Sequence, residues 1–172
     1  PIYRSITGQG VRKTLAKIKE YIPISIHEVP SGTQAFDWAV PDEWNIEDAY
    51  IITPEGERIA DIQENNLHLV SYSEPIETDL SLDELQGHIY SLPEQPLVVP
   101  YITSYYQRRW GFCLSHNDRQ RLGEGIYRVV IKSNFNSSGS LTYGELIIPG
   151  KIDREILIST YGGRYKNIII TT

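Results

Sequence analysis

The sequence predicts a strand-rich α+β fold with a few short helices. The chain has 172 residues, 40% of them hydrophobic, which suffices for one domain or for a small domain plus an insert. One apolar stripe at helical spacing lies near the N-terminus, and alternation of apolar and polar residues with period two follows it through most of the chain. Proline and glycine turns separate these alternating segments.

The first helix is predicted from an apolar stripe of four residues. Pro23 ends it, because proline lacks the N–H that a helix needs and restricts the residue before it. The stripe consists of Val11, Leu15, Ile18 and Ile22.

A second helix is predicted from a capping box that begins at Ser81. The Ser81 side chain and the Glu84 side chain would each bind the other residue's backbone N–H. Leu85 and Ile89 give this helix its apolar face, and Pro93 ends it. A short polar helix is also predicted over 117–122.

The remaining segments alternate in hydrophobicity and predict strands. The clearest turn is 54–57, Pro-Glu-Gly-Glu, where proline presets φ and glycine accepts a positive φ. The predicted strands are 24–29, 49–53, 58–62, 67–72, 97–103, 110–115, 126–133, 141–148, 155–160 and 166–171.

The distribution of these elements predicts two parts. The ends of the chain, 1–34 and 123–172, resemble pieces of one α/β unit, namely an N-terminal helix with C-terminal strands. The middle, 35–122, resembles an inserted, mostly β domain that carries one helix.

Composition excludes several classes of function. The net charge is −6, which argues against a surface that neutralises nucleic-acid phosphates or anionic lipids. Apolar runs are far shorter than the roughly 20 residues of a membrane helix. A single cysteine, Cys113, excludes an internal disulfide and is compatible with a cytoplasmic protein. The sequence contains no methionine, so we expect a chain trimmed at its N-terminus.

Few residues have a spacing typical of catalysis or metal binding. The four histidines are at least 20 residues apart and match no zinc-binding motif, and no glycine-rich segment fits a phosphate loop. In a strand, His116 would lie on the opposite face from Cys113, so we expect this cysteine to be buried and unreactive.

Aromatic residues accompany two arginines in the segment 104–110. Such a group lines a groove for a sugar ring, a peptide terminus or a carboxylate. The alternative is that strands favour Tyr and Trp as core filler. The candidate ligand-binding residues are Tyr105, Tyr106, Arg108, Arg109 and Trp110.

Several segments, in order along the chain, resemble a bacterial family of aminopeptidase-like proteins that often accompany polysaccharide-biosynthesis genes. They are PIYRSITG at 1–8, HEVPSGT at 27–33, FDW at 36–38, VPDEWN at 40–45, LPEQP at 92–96, WGFCLSH at 110–116, SLTYGE at 140–145 and ILISTY at 156–161. The resemblance implies a zinc-exopeptidase-like α/β domain, interrupted early by a β-rich domain of unknown function.

The resemblance fails where the family has its first metal ligand. In the family, the strand ending in Ser-Thr-Tyr runs into a Cys-His-Pro segment whose histidine binds zinc. Here Tyr161 is followed by Gly-Gly-Arg-Tyr-Lys-Asn at 162–167, without His, Asp or Glu. We therefore assign no catalytic or metal residue and expect no cofactor in this chain, although zinc is expected in the full-length family. Gly162-Gly163 would be a turn at a truncated or engineered end.

Two functions stay open. The favoured one is a non-catalytic N-terminal piece of an aminopeptidase-like protein, whose insert caps or shapes the cleft of the missing catalytic part. The alternative is an autonomous β-rich module that binds a peptide terminus or a sugar. A homodimer through the exposed edge of the last strands is also expected.

Overall fold

The computed structural model describes residues 2–152, 156–160 and 168–171. This part of the chain is strand-rich with three short α-helices, so the predicted α+β class is confirmed at that level. The chain forms two compact units. We name the units by their places along the sequence: the central unit comprises Pro1–Tyr3 and Trp44–Phe135, and the outer unit comprises Arg4–Glu43 and Asn136–Thr172. The assignment of 35–122 to an insert, and of 1–34 and 123–172 to a peptidase-like portion, stays a prediction.

In the outer unit, the first helix, α1, spans Gly8–Lys19. It ends earlier than the apolar stripe suggested, since Pro23 disfavours a helical conformation at Ile22. Ile22 is therefore outside the helix and 43% exposed. Lys17 and Lys19 lie in the last turn, where positive charge is favourable.

The outer unit also contains two antiparallel strands that are far apart in the sequence. Strand β1, Ser25–Pro30, pairs with β10, Ser140–Glu145, so that residues more than 100 positions apart become neighbours. Gly144 faces α1, and a Cβ there would lie 3.0 Å from Leu15 Cδ2 and from Ile24 Cδ1. The absence of a side chain thus lets the helix approach the sheet.

A small hairpin that the sequence did not predict follows β1. Strands β2, Gln34–Ala35, and β3, Trp38–Ala39, pair around a turn in which Phe36 has φ of 55°. Positive φ is uncommon for residues other than glycine, so local hydrophobicity gave no sign of this turn.

The central unit is built on a four-stranded sheet, whose strands in spatial order are β5 (Arg58–Ile59), β4 (Glu43–Ile52), β9 (Ile126–Asn136) and β6 (Ile76–Ser81). The predicted hairpin at 54–57 is confirmed, because Ile51 pairs with Ile59 in antiparallel register. Trp44, Ile51 and Val129 are among the fully buried residues of this sheet.

The second helix confirms the capping box but is shorter than predicted. α2 spans Leu82–Gln86, and Ser81 and Glu84 make both reciprocal hydrogen bonds. The placement of Ile89 on this helix was wrong. Ile89 belongs to β7, Ile89–Tyr90, which pairs in parallel with β8, Phe112–Cys113. Ile89 reaches the core through this pairing.

Two predicted strands are wrong, because the structure has only isolated bridges in both segments. Segment 67–72 begins in a 3₁₀ turn, Asn66–His68, and segment 97–103 contains no described strand. Only single bridges remain, such as Ser71 to Thr103. Pro96 precedes the second segment and Pro100 lies within it, and neither can donate to a ladder, which prevents regular pairing.

The last elements agree with the predictions in type but not in length. The third helix, α3, spans His116–Gln120 and starts from Ser115 as its N-cap. Strand β10 ends at Glu145 instead of reaching residue 148. Strands β11, Leu157–Thr160, and β12, Ile168–Thr171, pair antiparallel. The predicted turn at 162–163 lies outside the described residues.

Candidate functional site

The aromatic–arginine cluster, defined as Tyr105, Tyr106, Arg108, Arg109 and Trp110, lies on a loop of the central unit. Ser104 holds this loop, because its backbone N–H donates to the Ser71 carbonyl over 2.9 Å. Its hydroxyl contacts the carbonyls of Ser71 and Tyr72, both at 3.2 Å. The loop is therefore tied to the segment that begins at Ser71.

Ser73 is the polar centre beneath this loop. It is fully buried, and its carbonyl accepts hydrogen bonds from Trp44 Nε1 at 2.9 Å and from the Ser133 hydroxyl at 2.8 Å. The Ser73 hydroxyl donates to Val70 at 2.6 Å and accepts from the Gly111 N–H at 3.3 Å. Hydrogen bonds to the buried Ser73 therefore connect strands β4 and β9 with the end of the loop.

Aromatic rings continue from the core to the surface. Trp44 stacks on Tyr72 with ring centroids 5.4 Å apart, and Tyr72 meets Tyr105 edge-on at 4.7 Å. Tyr106 follows at 6.4 Å and is 79% exposed. Tyr72 has φ of 67°, a strained conformation for a residue with a side chain. Such strain persists only where surrounding contacts enforce it, and it concentrates at functional sites.

The two arginines of the cluster have different environments. The guanidinium of Arg108 lies 3.7 Å from the centroid of the Phe135 ring, a cation–π contact. Arg109 is half-buried and donates from Nη2 to the Thr103 carbonyl at 3.0 Å, with its guanidinium carbon 5.6 Å from the Tyr90 ring. Arg109 Nε is buried and has no hydrogen-bond partner in the described structure.

Trp110 packs against His88 in a parallel stack, with centroids 3.6 Å apart and planes 9° from parallel. Arg109 and Trp110 therefore contact the neighbourhood of β7, whereas Tyr105 and Arg108 contact Tyr72 and Phe135. Sequence reasoning missed Tyr72, Phe135 and the partners around β7. These residues lie far from the loop in the sequence, so no local pattern could identify them as its partners.

The histidines and the cysteine occupy separate local environments. Burial raises the pKa of the Cys113 thiol to about 12, so this thiol stays protonated at neutral pH and is a poor nucleophile. Across the described ranges, no three His, Cys, Asp or Glu residues form a group that could hold a metal ion, so these residues do not fit a zinc centre. Histidine contacts are His27 on Tyr143, His68 Nδ1 with the Cys113 carbonyl, His88 on Trp110 and His116 Nδ1 with the Ser91 hydroxyl.

A second charged cluster lies in the outer unit, where Arg12 binds two carboxylates. Its Nε donates to Glu28 at 2.9 Å and its Nη2 donates to Glu43 at 2.6 Å. The Glu43 side chain is 8% exposed and also accepts from the Ser140 N–H. Arg12 lowers the pKa of Glu28, mainly by hydrogen bonding, and Thr142 contributes to the same effect. Both carboxylates accept hydrogen bonds from Arg12, and neutral groups of Ser140 and Thr142 bind them as well, which indicates a structural role.

None of the helices in the described part of the chain is long and apolar enough to cross a membrane.

Comparison with known proteins gives three findings. Residues 43–134 match the model of a domain of unknown function, DUF2172. The chain is 51% identical over 161 residues to a Clostridium acetobutylicum protein named as a polysaccharide biosynthesis protein with an aminopeptidase-like domain. That match covers 94% of this chain and 37% of the relative, so the chain spans about a third of the relative's length. A crystal structure titled as a peptidase from Clostridium acetobutylicum aligns with a TM-score of 0.83 at 51% identity, over 88% of this chain and 36% of that one.

Proposed function

Because this chain belongs to the family of the domain of unknown function DUF2172, we propose that it is a non-catalytic part of an aminopeptidase-like protein. In this proposal the central unit caps or shapes the cleft of a zinc-dependent catalytic part. The outer unit contributes α1, β1, β10 and β11 to a peptidase-like α/β sheet. The catalytic part corresponds to the portion of the longer relative that this chain does not match.

One observation carries the proposal. The chain is 51% identical to a protein whose name includes an aminopeptidase-like domain, yet its described residues supply no group of metal ligands. A zinc peptidase needs several nitrogen and oxygen ligands around its metal. The combination favours an accessory role over catalysis by this chain.

We expect this chain to hydrolyse no amino-acid p-nitroanilide when zinc is added, because its described residues include no group of ligands that could hold zinc and activate a bound water. The measurement is the release of p-nitroaniline during a zinc titration, with a chelator-treated sample as the control. Turnover that depends on added zinc and disappears with the chelator would contradict the non-catalytic role.

The capping role has a separate test in the longer relative. Deleting the segment aligned with 44–135 is expected to change the KM for peptide substrates while the zinc content stays constant. An unchanged KM would argue against a cap.

A second candidate function is an autonomous binding module for a peptide terminus or a sugar. Tyr106 favours it, since a tyrosine ring that is 79% exposed next to two arginines is typical of a contact surface. The five residues of the aromatic–arginine cluster would then bind ligand without any catalytic part.

We also expect self-association through the β11–β12 pair. Ile156, Leu157 and Ile158 are 60–67% exposed, and among the described residues this sheet has two strands, so its outer edges are open to a second copy. Light scattering at increasing concentration measures the effect, and an Ile158→Lys variant should reduce it. A protein that remains monomeric at high concentration would refute the prediction.

A further inference from the structure

We propose that Arg109 anchors a binding site for the C-terminal carboxylate of a short peptide, with Tyr90 and Trp110 as its aromatic walls. The choice of a peptide rests on the proposed accessory role in an aminopeptidase-like protein. The site itself rests on three features of the described residues of the central unit: an arginine without a carboxylate partner, a buried donor without an acceptor, and fixed aromatic rings beside them.

Arg109 differs from the paired arginines of this unit in having no carboxylate partner among the described residues. Residues 44–135 include 14 Asp and Glu residues but only 7 Arg and Lys residues, so acidic partners are abundant. Arg58, Arg121 and Arg128 each bind a carboxylate within 3.3 Å. Arg109 instead donates to the Thr103 carbonyl. A half-buried cation without a counter-ion is costly, which points to an anion supplied by a ligand.

Two buried polar atoms without partners lie on residues that contact Thr103. Arg109 Nε has no acceptor, and the hydroxyl of Ser71, whose backbone bridges to Thr103, has no hydrogen-bond partner either. Buried polar groups are nearly always paired, so each exception needs an explanation. A carboxylate with two acceptor oxygens matches the fork of a guanidinium and would pair with the charge of Arg109.

The walls of the site are held rigidly. Gly111 packs so closely that a Cβ there would lie 2.6 Å from Tyr90 Cε2, which fixes this ring beside Arg109. Trp110 is fixed by its stack on His88 at 3.6 Å. Rigid aromatic walls beside a cation favour a carboxylate attached to an apolar group, as at the C-terminus of a peptide ending in phenylalanine.

The test is calorimetric titration of this chain with three probes: alanyl-alanyl-phenylalanine, its C-terminal amide, and glucuronate. We expect the acid to bind and the amide to bind at least about tenfold more weakly, because the amide lacks the charge that Arg109 recognises. Arg109→Lys keeps the charge but loses the fork, and it should weaken binding of the acid about tenfold. Arg121→Gln, which removes an exposed charge from the same unit, should leave binding unchanged.

Each other result overturns the proposal. Equal binding of acid and amide excludes carboxylate recognition, binding of glucuronate in place of the tripeptide assigns the surface to a sugar acid, and no binding of any probe removes the site. Thermal melting of each variant separates loss of ligand contacts from loss of folding. The titration needs neither zinc nor turnover, so its failure is distinguishable from failure of the proposed accessory role.

Discussion

Replacing Arg12 with methionine is expected to destabilise the outer unit by about 3 kcal/mol, at the lower end of the range for breaking a buried ion pair. The substitution leaves Glu28 and Glu43 facing each other without a cation. Glu43 carries most of the cost, because its side chain is only 8% exposed and water cannot solvate its charge. Arg12 keeps 24% of its own surface exposed, which moderates the loss.

The matched control is Arg128→Met in the central unit. Arg128 also binds two carboxylates, Glu77 and Asp79, but all three side chains are more than half exposed. Surface pairs of this kind contribute about 0–1 kcal/mol. Urea unfolding followed by far-UV circular dichroism measures both variants. Similar losses in the two would show that burial of Glu43 is not the decisive factor.

The pH dependence of stability gives a second readout of the same network. Arg12 lowers the pKa of Glu28 in the folded state, so this group contributes stability above its unfolded pKa, which is about 4.3. That contribution is lost as the pH falls through the lower folded pKa. Without Arg12 we expect a shallower loss of stability in acid. An unchanged acid profile would contradict the role of Arg12.

Replacing Trp44 with alanine is expected to destabilise the central unit by about 3–5 kcal/mol, the usual cost of removing a buried aromatic side chain. Trp44 is 2% exposed and contacts Tyr3 at 5.5 Å and Tyr72 at 5.4 Å between ring centroids. Its indole N–H also donates to Ser73, whose carbonyl would then retain only the Ser133 hydroxyl. The variant loses packing and a buried hydrogen bond together.

Trp44→Phe separates these two contributions. Phenylalanine keeps most of the ring packing and removes the donor, so we expect a loss of about 1 kcal/mol. Urea unfolding of both variants, under identical conditions, provides the comparison. A loss for Trp44→Phe as large as that for Trp44→Ala would show that the hydrogen bond to Ser73, and not the packing, holds this region.

Local chemistry explains which elements could be predicted. The capping box at Ser81 and Glu84 and the hairpin at 54–57 need only neighbours within a few residues, and both are confirmed. The predicted strand over 97–103 needed a distant partner, and Pro96 and Pro100 prevented regular pairing. Positive φ at Phe36 and Tyr72 was also hidden, because neither residue type favours it.

The candidate site was likewise predictable only in part. The run of aromatic and basic residues over 105–110 was sufficient to predict the loop as a candidate binding site. Its partners could not be found, because Tyr72, Tyr90 and Phe135 meet the loop only after the chain has folded. No spacing rule distinguished Arg109 from Arg108. In the structure, Arg108 packs on the Phe135 ring, whereas Arg109 contacts Thr103 and Tyr90.

The sequence by itself determined the strand-rich class, the capped second helix, the tight turn before β5 and the likeness to aminopeptidase-like proteins, since these depend on residue type and short spacing. Only the tertiary structure decided that Glu43 is buried against Arg12, that Ser73 joins Trp44 to the loop, and that Arg109 has no counter-ion in the described residues. Those properties arise from contacts between residues far apart in the chain, and burial changes the energy of a charge or a hydrogen bond in a way that no local pattern encodes.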